Sequence, residues 1–320
     1  MRPFLNAIGR HRFDFLSMPG IVSVGFGVKV KNGLNTGVPA IVFGVEKKMP
    51  PGAVPSGQMI PESLDSLPTD VVQTGKIRFL GYAPPSYDNG EEQPEFRKKK
   101  MRPAQPGVSV GHYRVTAGTL GAVVKGDFPG GVAILSNNHI LANGTSGEDG
   151  LAFPGDAVLQ PGPYDDGRRN DIIARLYAFS PLLPQKEGTR GPVNRIDAAL
   201  AIPVSPNAVK STIIELGDVT RTAQAFNRMM VFKSGRSSGV TRGSVISLGN
   251  TLQVENDKKK YIFEDQIGMG SMSKSGDSGS LIVNQYGRAV GLLFAGSDEY
   301  TYANPIQNVL NYFGVSLYRE

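Results

Sequence analysis

The 320-residue sequence contains no cysteine. That excludes disulfide frameworks, thiolate-bound zinc and cysteine nucleophiles. Histidine is scarce, with His11, His112 and His139 the only three, so an imidazole base must be one of these. No stretch approaches the ~18 apolar residues of a membrane span. The N-terminal region lacks a signal-peptide core, because Arg10, His11, Arg12 and Asp14 interrupt it. The expectation is a cytoplasmic protein with no membrane partner.

Glycine and proline, by contrast, are plentiful. The 40 Gly and 23 Pro make up about a fifth of the chain. Such frequent punctuation argues against long helices and for many short strands joined by tight turns. Apolar residues form 40% and charged residues 19%, as in a soluble globular protein with material for a core. The net charge of +6 invites a nucleic-acid reading, but much of it is local. Arg97, Lys98, Lys99, Lys100 and Arg102 form one run, and Lys258, Lys259 and Lys260 another. Such runs are usually solvated faces or linkers, and neither is interleaved with the aromatics that single-strand binding uses. Nucleic acid is therefore disfavoured as a partner.

Along the chain, Phe4, Leu5, Ile8, Phe13, Phe15 and Leu16 suggest a short amphipathic helix. Strands are expected over 21–30, 40–45 and 70–73, making a small α/β N-terminal domain over 1–83. Residues 84–107 turn polar and basic, which reads as a plain tether, with a processing site as the alternative. From Val108 the pattern becomes regularly spaced short strands: 120–125, 131–135, 172–176, 198–202, 230–233, 244–248, 261–263, 280–283 and 289–294. That spacing predicts an all-β sandwich or barrel domain over 108–320. One helix is expected near the end, starting around Pro305 and carrying Ile306, Val309, Leu310 and Phe313 on one face.

The sharpest local feature is Gly276-Asp277-Ser278-Gly279-Ser280, followed by the apolar Leu281-Ile282-Val283. A serine between glycines suits a tight turn that exposes the hydroxyl and aligns backbone N–H groups, as an acyl-transfer nucleophile needs. A serine needs a base. His11 lies in the terminal segment and His112 before the first confident strand. His139 closes an apolar strand, Val132 to Leu135, after the polar break Ser136-Asn137-Asn138, and is the favoured base. Two carboxylates compete to orient it. Asp171 precedes an alternating strand with Arg175 on its own face, whereas Asp197 leads into the wholly apolar Ala198 to Ile202. A carboxylate at the mouth of a buried strand requires a partner, which favours Asp197.

These segments, in the order His, Asp, Ser, resemble the chymotrypsin/trypsin-like serine proteases. More narrowly, Thr116-Ala117-Gly118-Thr119-Leu120-Gly121, Ser136-Asn137-Asn138-His139, Gly291-Leu292-Leu293-Phe294-Ala295-Gly296-Ser297 and Ala303-Asn304-Pro305-Ile306 are similar to bacterial relatives of the plant narrow-leaf proteins. The segment before the linker also looks like one seen in bacterial members. The resemblance spans about 108–320 and implies a mainly β fold, a double β-barrel preceded by the small α/β N-terminal domain. It implies Ser278 as nucleophile, His139 as base then acid and Asp197 as orienting carboxylate. The N–H groups of Gly276 and Ser278 would form the oxyanion hole, and Asp277 would be the buried acid shaping that loop. Met272, Ser273, Phe294 and Gly296 would line the substrate pocket. Met272 at its base, where an acid would select Arg or Lys, points instead to a small or apolar side chain.

Two departures matter. Secreted relatives pair the acid matching Asp277 with a newly cut amino terminus, yet nothing near Val108 resembles their apolar start. Asp277 then needs a Lys, an Arg or a backbone N–H, or the site is not formed at rest. The family's usual disulfides are also missing, so packing and the N-terminal unit must supply that stability. Residues 235–239 read as a tight turn, with anion binding as the lesser alternative. The implied function is a serine endopeptidase acting on peptides or proteins without cofactor or metal. The alternative is a protease-like scaffold or regulatory protein with an inactive or conditionally assembled triad. The N-terminal unit is expected to regulate or position the protease domain, and homo-oligomerisation stays open.

Overall fold

The computed structural model describes residues 1–31, 33–55, 57–81, 95–115, 117–186, 191–256 and 259–320. Helix α1 (Arg2–Leu16) forms where the apolar spacing predicted it, burying Ala7, Ile8, Phe15 and Leu16. That face packs onto β1 (Ile21–Lys31) and β2 (Leu34–Val45), with the Phe15 and Phe43 rings 4.6 Å apart. The β1–β2 hairpin is antiparallel. Beyond it, β3 (Ser63–Leu64) and β4 (Leu67–Gln73) extend the sheet, β4 running parallel to β2. A two-residue strand, β5 (Arg78–Phe79), follows.

Two curled sheets come next. The first contains β6 (Ser109–His112), β7 (Gly118–Thr119), β8 (Ala122–Lys125), β9 (Val132–Ser136), β10 (Ala157–Leu159), β11 (Ile172–Phe179) and β13 (Ala199–Pro203). Its order, β8-β9-β13-β11-β10-β6-β7, returns to β7, which continues directly into β8. One extended segment, 118–125, thus borders both β6 and β9 and closes a barrel. The short helix α2 (Asn138–Leu141) follows β9, and β12 (Val193–Asn194) joins the other sheet.

The second sheet holds β14 (Met230–Gly235), β15 (Gly239–Asn256), β16 (Lys259–Gly270), β17 (Leu281–Asn284), β18 (Ala289–Gly296) and β19 (Tyr300–Pro305). The path β15-β14-β17-β18-β19-β16 comes back to β15 through the β15–β16 ladder, a closed ring. Helix α3 (Ile306–Phe313) and β20 (Ser316–Leu317) then cross back, β20 pairing with β8. Apolar residues of both barrels, Leu135, Leu200, Leu281 and Leu292 among them, pack together with Ile306 and Leu310 of α3.

Several elements differ from the sequence reading. Strands expected over 244–248 and 261–263 are parts of β15 and β16, which run through 18 and 12 residues. Gly249, with φ +57°, sits at a bulge inside the ladder, where the register shifts between Ser247 and Asn250. The extra length of β15 accommodates the N-terminal unit. Its lower half pairs with β14 and its upper half with β1 (Ser23 to Leu252, Gly27 to Ser247), so β1, β2, β3 and β4 share a sheet with the second barrel.

Part of the expected linker, 84–94, lies outside the described residues. The rest is not uniformly solvated. Arg97 is fully buried and donates to Ser234 Oγ (2.7 Å), the Gly107 carbonyl (3.2 Å) and Glu215 (2.9 Å). A guanidinium is tolerated there because its planar donors find three acceptors. Three other cations of the runs are paired, Lys98 with Glu95, Lys100 with Asp171 and Lys260 with Glu255, and Arg102 donates to the Gln160 carbonyl (3.1 Å). Lys258 lies outside the described residues. Among those residues, no helix is long and apolar enough to cross a membrane.

His112 is buried, accepting the Arg114 N–H at Nδ1 (3.2 Å), so its Nε2–H donates to Asp156 (3.1 Å). Burial lowers its pKa, against the opposing pull of Asp156. The fold therefore holds a neutral ring that protonates more readily once unfolded. Stability is full above the unfolded value near ~6.5 and falls as pH drops below it. The urea midpoint should decline between about pH 7 and pH 5, and His112→Gln should flatten that decline.

Candidate active site

The three residues singled out as a triad come from three places around the junction of the barrels. His139 sits in α2, just after β9; Asp197 lies two residues before the start of β13; Ser278 lies between β16 and β17. His139 Nδ1 hydrogen-bonds Asp197 Oδ2, and the His139 N–H donates to Oδ1 at 3.2 Å. A single carboxylate thus fixes both ring and backbone of the histidine. Asp197 is fully buried and is itself anchored: its carbonyl accepts from Asn137 Nδ2 (2.7 Å) and its N–H donates to Asn304 Oδ1 (3.1 Å). The competing Asp171 is elsewhere, held by Lys100 and the Arg168 N–H. The other histidines also face carboxylates, His11 with Asp65 and His112 with Asp156. Only His139 has a buried ring nitrogen, Nε2, without a hydrogen-bond partner among the described residues.

Ser278 is fully buried on the turn that the glycines form. Gly276 there has φ +96°, and a Cβ would stand 2.2 Å from Ser237 Oγ, so only glycine fits. The Ser278 hydroxyl donates to the Phe294 carbonyl at 3.0 Å, not to His139. Thr119 ties this turn to the first barrel. Its N–H donates to the Ser278 carbonyl (2.8 Å) and its Oγ1 to the Gly276 carbonyl (2.9 Å).

Asp277 has the partner it needs. Lys233 Nζ donates to Oδ2 at 2.9 Å, and both side chains are fully buried. The N–H groups of Ser237 (2.9 Å) and Ser238 (3.1 Å) reach Oδ1, and the Lys274 N–H reaches Oδ2 (2.9 Å). Burial by itself would raise this carboxyl, but the Lys233 charge and these donors prevail and hold it below the usual carboxylate range. Burial lowers the Lys233 ammonium. Residues 235–239 are therefore both readings at once, a tight turn whose amides bind an anion, that anion being Asp277. Lys233 was missed by the sequence reading. Its signal was a lone charge inside the apolar Met230-Val231-Phe232 strand.

The four residues expected to line a substrate pocket lie near this turn and near residues 78–80. Met272 is buried, in one apolar cluster with Leu80, Val231 and Leu293. Ser273 Oγ shares a hydrogen bond with Thr301 Oγ1 (2.7 Å). Phe294 turns its ring onto Phe263 (4.7 Å between centroids) and offers the site its carbonyl. Gly296 pairs with Arg78 as β5 runs antiparallel along β18. Leu80 N–H then donates to the Phe294 carbonyl (3.2 Å), and the Leu80 carbonyl accepts from the Gly276 N–H. Phe79 stacks on His139 with centroids 4.8 Å apart and planes at 26°. Among the described residues no three His, Asp or Glu side chains come together as a metal's ligands.

No protein-family model matches the chain, and neither does any curated protein. The fold is similar to solved bacterial proteases at low identity. Protease A of Thermobifida fusca is 17% identical, covering 68% of this chain and 100% of that one, with TM-score 0.48. The chymotrypsin of Cellulomonas bogoriensis is 13% identical over 68% and 99%, with TM-score 0.45. A Nocardiopsis protease is 15% identical over 68% and 100%, with TM-score 0.44.

Removing Lys233 leaves a buried carboxylate without its counter-charge, which costs about 3–5 kcal/mol. Lys233→Met should lose stability of that order in denaturant titrations.

Proposed function

We infer that the chain is a serine endopeptidase of the chymotrypsin-like kind, related to the bacterial narrow-leaf-like proteins, with Ser278, His139 and Asp197 as its triad. The observation that carries this is the buried His139–Asp197 pair with an unpartnered Nε2, set against Gly81, whose neighbour Leu80 accepts the Gly276 N–H of the Ser278 turn. Asp197 keeps Nδ1 protonated, which leaves the Nε2 lone pair to take the Ser278 proton. The Gly276 N–H, already donating to a carbonyl, marks where the oxyanion of the tetrahedral intermediate would be stabilised, with the Ser278 N–H as second donor. Nε2 then returns the proton to the leaving amine, and water releases the acyl group by the reverse route. The apolar surroundings of Met272 favour a small or apolar residue before the scissile bond. The division into 1–83, 84–107 and 108–320 belongs to the same proposal, with the last part carrying the chemistry.

The second reading, a scaffold with a conditionally assembled triad, has its own observation: Ser278 Oγ is bonded to the Phe294 carbonyl instead of His139. Labelling by a fluorophosphonate probe separates the two. Because Ser278 lies buried beside residues 78–81, the probe is applied to both the wild type and a Leu80→Asp chain, the aspartate being unfavourable in the apolar cleft. A peptidase labels in at least one of the two, and adding Ser278→Ala abolishes the signal. Asp197→Asn should slow labelling on the order of 10⁴-fold. If neither chain labels, the scaffold reading stands.

A further inference from the structure

We propose that the chain is its own substrate and that Ser278 cuts the Leu80–Gly81 peptide bond of the same molecule. This rests on the peptidase reading above and names the residues that its cleft accepts.

The segment 78–81 meets each requirement for a bound substrate. Backbone register comes from β18, where Arg78 pairs with Gly296 and Phe79 with Ala295. The ladder continues through Leu80 N–H to the Phe294 carbonyl at 3.2 Å. The Leu80 carbonyl is the group that accepts the Gly276 N–H, so it occupies the position an oxyanion would take. Leu80's side chain is buried in the cluster that contains Met272, with its Cδ1 3.1 Å from where a Gly296 Cβ would stand. The next residue, Gly81, faces the base. A Cβ on Gly81 would lie 2.6 Å from His139 Nε2 and 2.5 Å from Cδ2, so that any side chain would collide with the ring. The amide between Leu80 and Gly81 therefore lies between the oxyanion donor and the unpartnered nitrogen.

The segment is delivered there by the fold. Ser297 Oγ donates to the Thr74 carbonyl, and the Glu255 N–H donates to the Ile77 carbonyl at 2.9 Å. Upstream, β1 is fastened to β15. A tethered peptide bond reacts as a unimolecular partner, without the entropy cost of association.

In the reaction, Ser278 Oγ bonds to the Leu80 carbonyl carbon while its proton moves to His139 Nε2. The C–N bond to Gly81 breaks, and the same proton goes to the Gly81 nitrogen, giving a new amino terminus. Water, the one co-reactant, then adds to the acyl carbon, leaving a Leu80 carboxylate and restoring Ser278. For attack the Ser278 hydroxyl must first leave the Phe294 carbonyl, the acceptor it shares with Leu80 N–H. The cut does not need to create a partner for Asp277, which Lys233 already supplies. What changes is the cleft, since Gly81 and the chain after it are no longer bonded to Leu80.

Intact-mass measurement of the full chain at two concentrations tests this. Wild type should resolve into 1–80 and 81–320, with a first-order rate independent of concentration, while Ser278→Ala stays whole. Leu80→Asp should slow the cut at least about 100-fold, because a carboxylate is costly in an apolar pocket. An intact wild type alongside a Leu80→Asp chain that still labels at Ser278 overturns self-cleavage and leaves the peptidase reading standing. An intact wild type with no labelling in either chain removes both. Cleavage at another bond, or at a rate that rises with concentration, also overturns the proposal.

Discussion

The buried Asp277 carboxylate is the constraint around which the site is organised. A charge taken out of water must be neutralised and solvated by the protein, and here Lys233 and the amides of Ser237, Ser238 and Lys274 do both. Satisfying it dictates where three pieces of chain lie: β14, which carries Lys233; the β14–β15 turn; and the turn that carries Ser278. The Gly276 N–H has its direction because Asp277, next in sequence, cannot move. With the cation built into β14, Asp277 has its counter-charge without a cut amino terminus.

The second organising element joins the barrels. Asp197 lies before β13 of the first barrel, yet its N–H is held by Asn304 of β19 in the second, and Asn304 also donates to the Leu292 carbonyl (3.1 Å). Thr119 makes the reverse connection, reaching from the first barrel to Ser278 and Gly276 of the second. Any sliding of one barrel on the other would break both sets of buried bonds at once. Each bond left unmade at such depth costs about 1–3 kcal/mol. The apolar seam of Leu135, Leu200, Leu281 and Leu292 provides the attraction, and these polar links provide the register.

How much of this was legible depended on whether the signal was local. His139 and Ser278 stood out because strand end and glycine-flanked turn are short-range patterns, and Asp197 because an apolar strand after a carboxylate demands a partner. Helices α1 and α3 followed from apolar spacing for the same reason. Arg97 was misread because a basic run looks alike whether its cations face water or one of them turns inward to Ser234 and Glu215. β15 was misread because Gly249 has the same letter as a turn glycine, and only the partner strands show it to be a bulge. Nothing local marked residues 78–81. Their role arises from pairing with 295 and 296, more than two hundred positions away, which no periodicity reports.

The same long-range pairing explains why the N-terminal unit shares a sheet with the second barrel. A loosely tethered peptide would compete for the cleft only at its effective concentration, commonly of millimolar order. Fastening β1 to β15 and continuing through Ile77 onto β15 and β18 removes that search, since the strand is held in register before the cleft is reached. The cost is that Ser278 stays buried and its hydroxyl bonds to the Phe294 carbonyl. An enzyme so built would meet other substrates only when residues 78–81 give way. Its activity toward them would be governed by how firmly the β5 ladder holds and by release of the Ser278 hydroxyl from the Phe294 carbonyl.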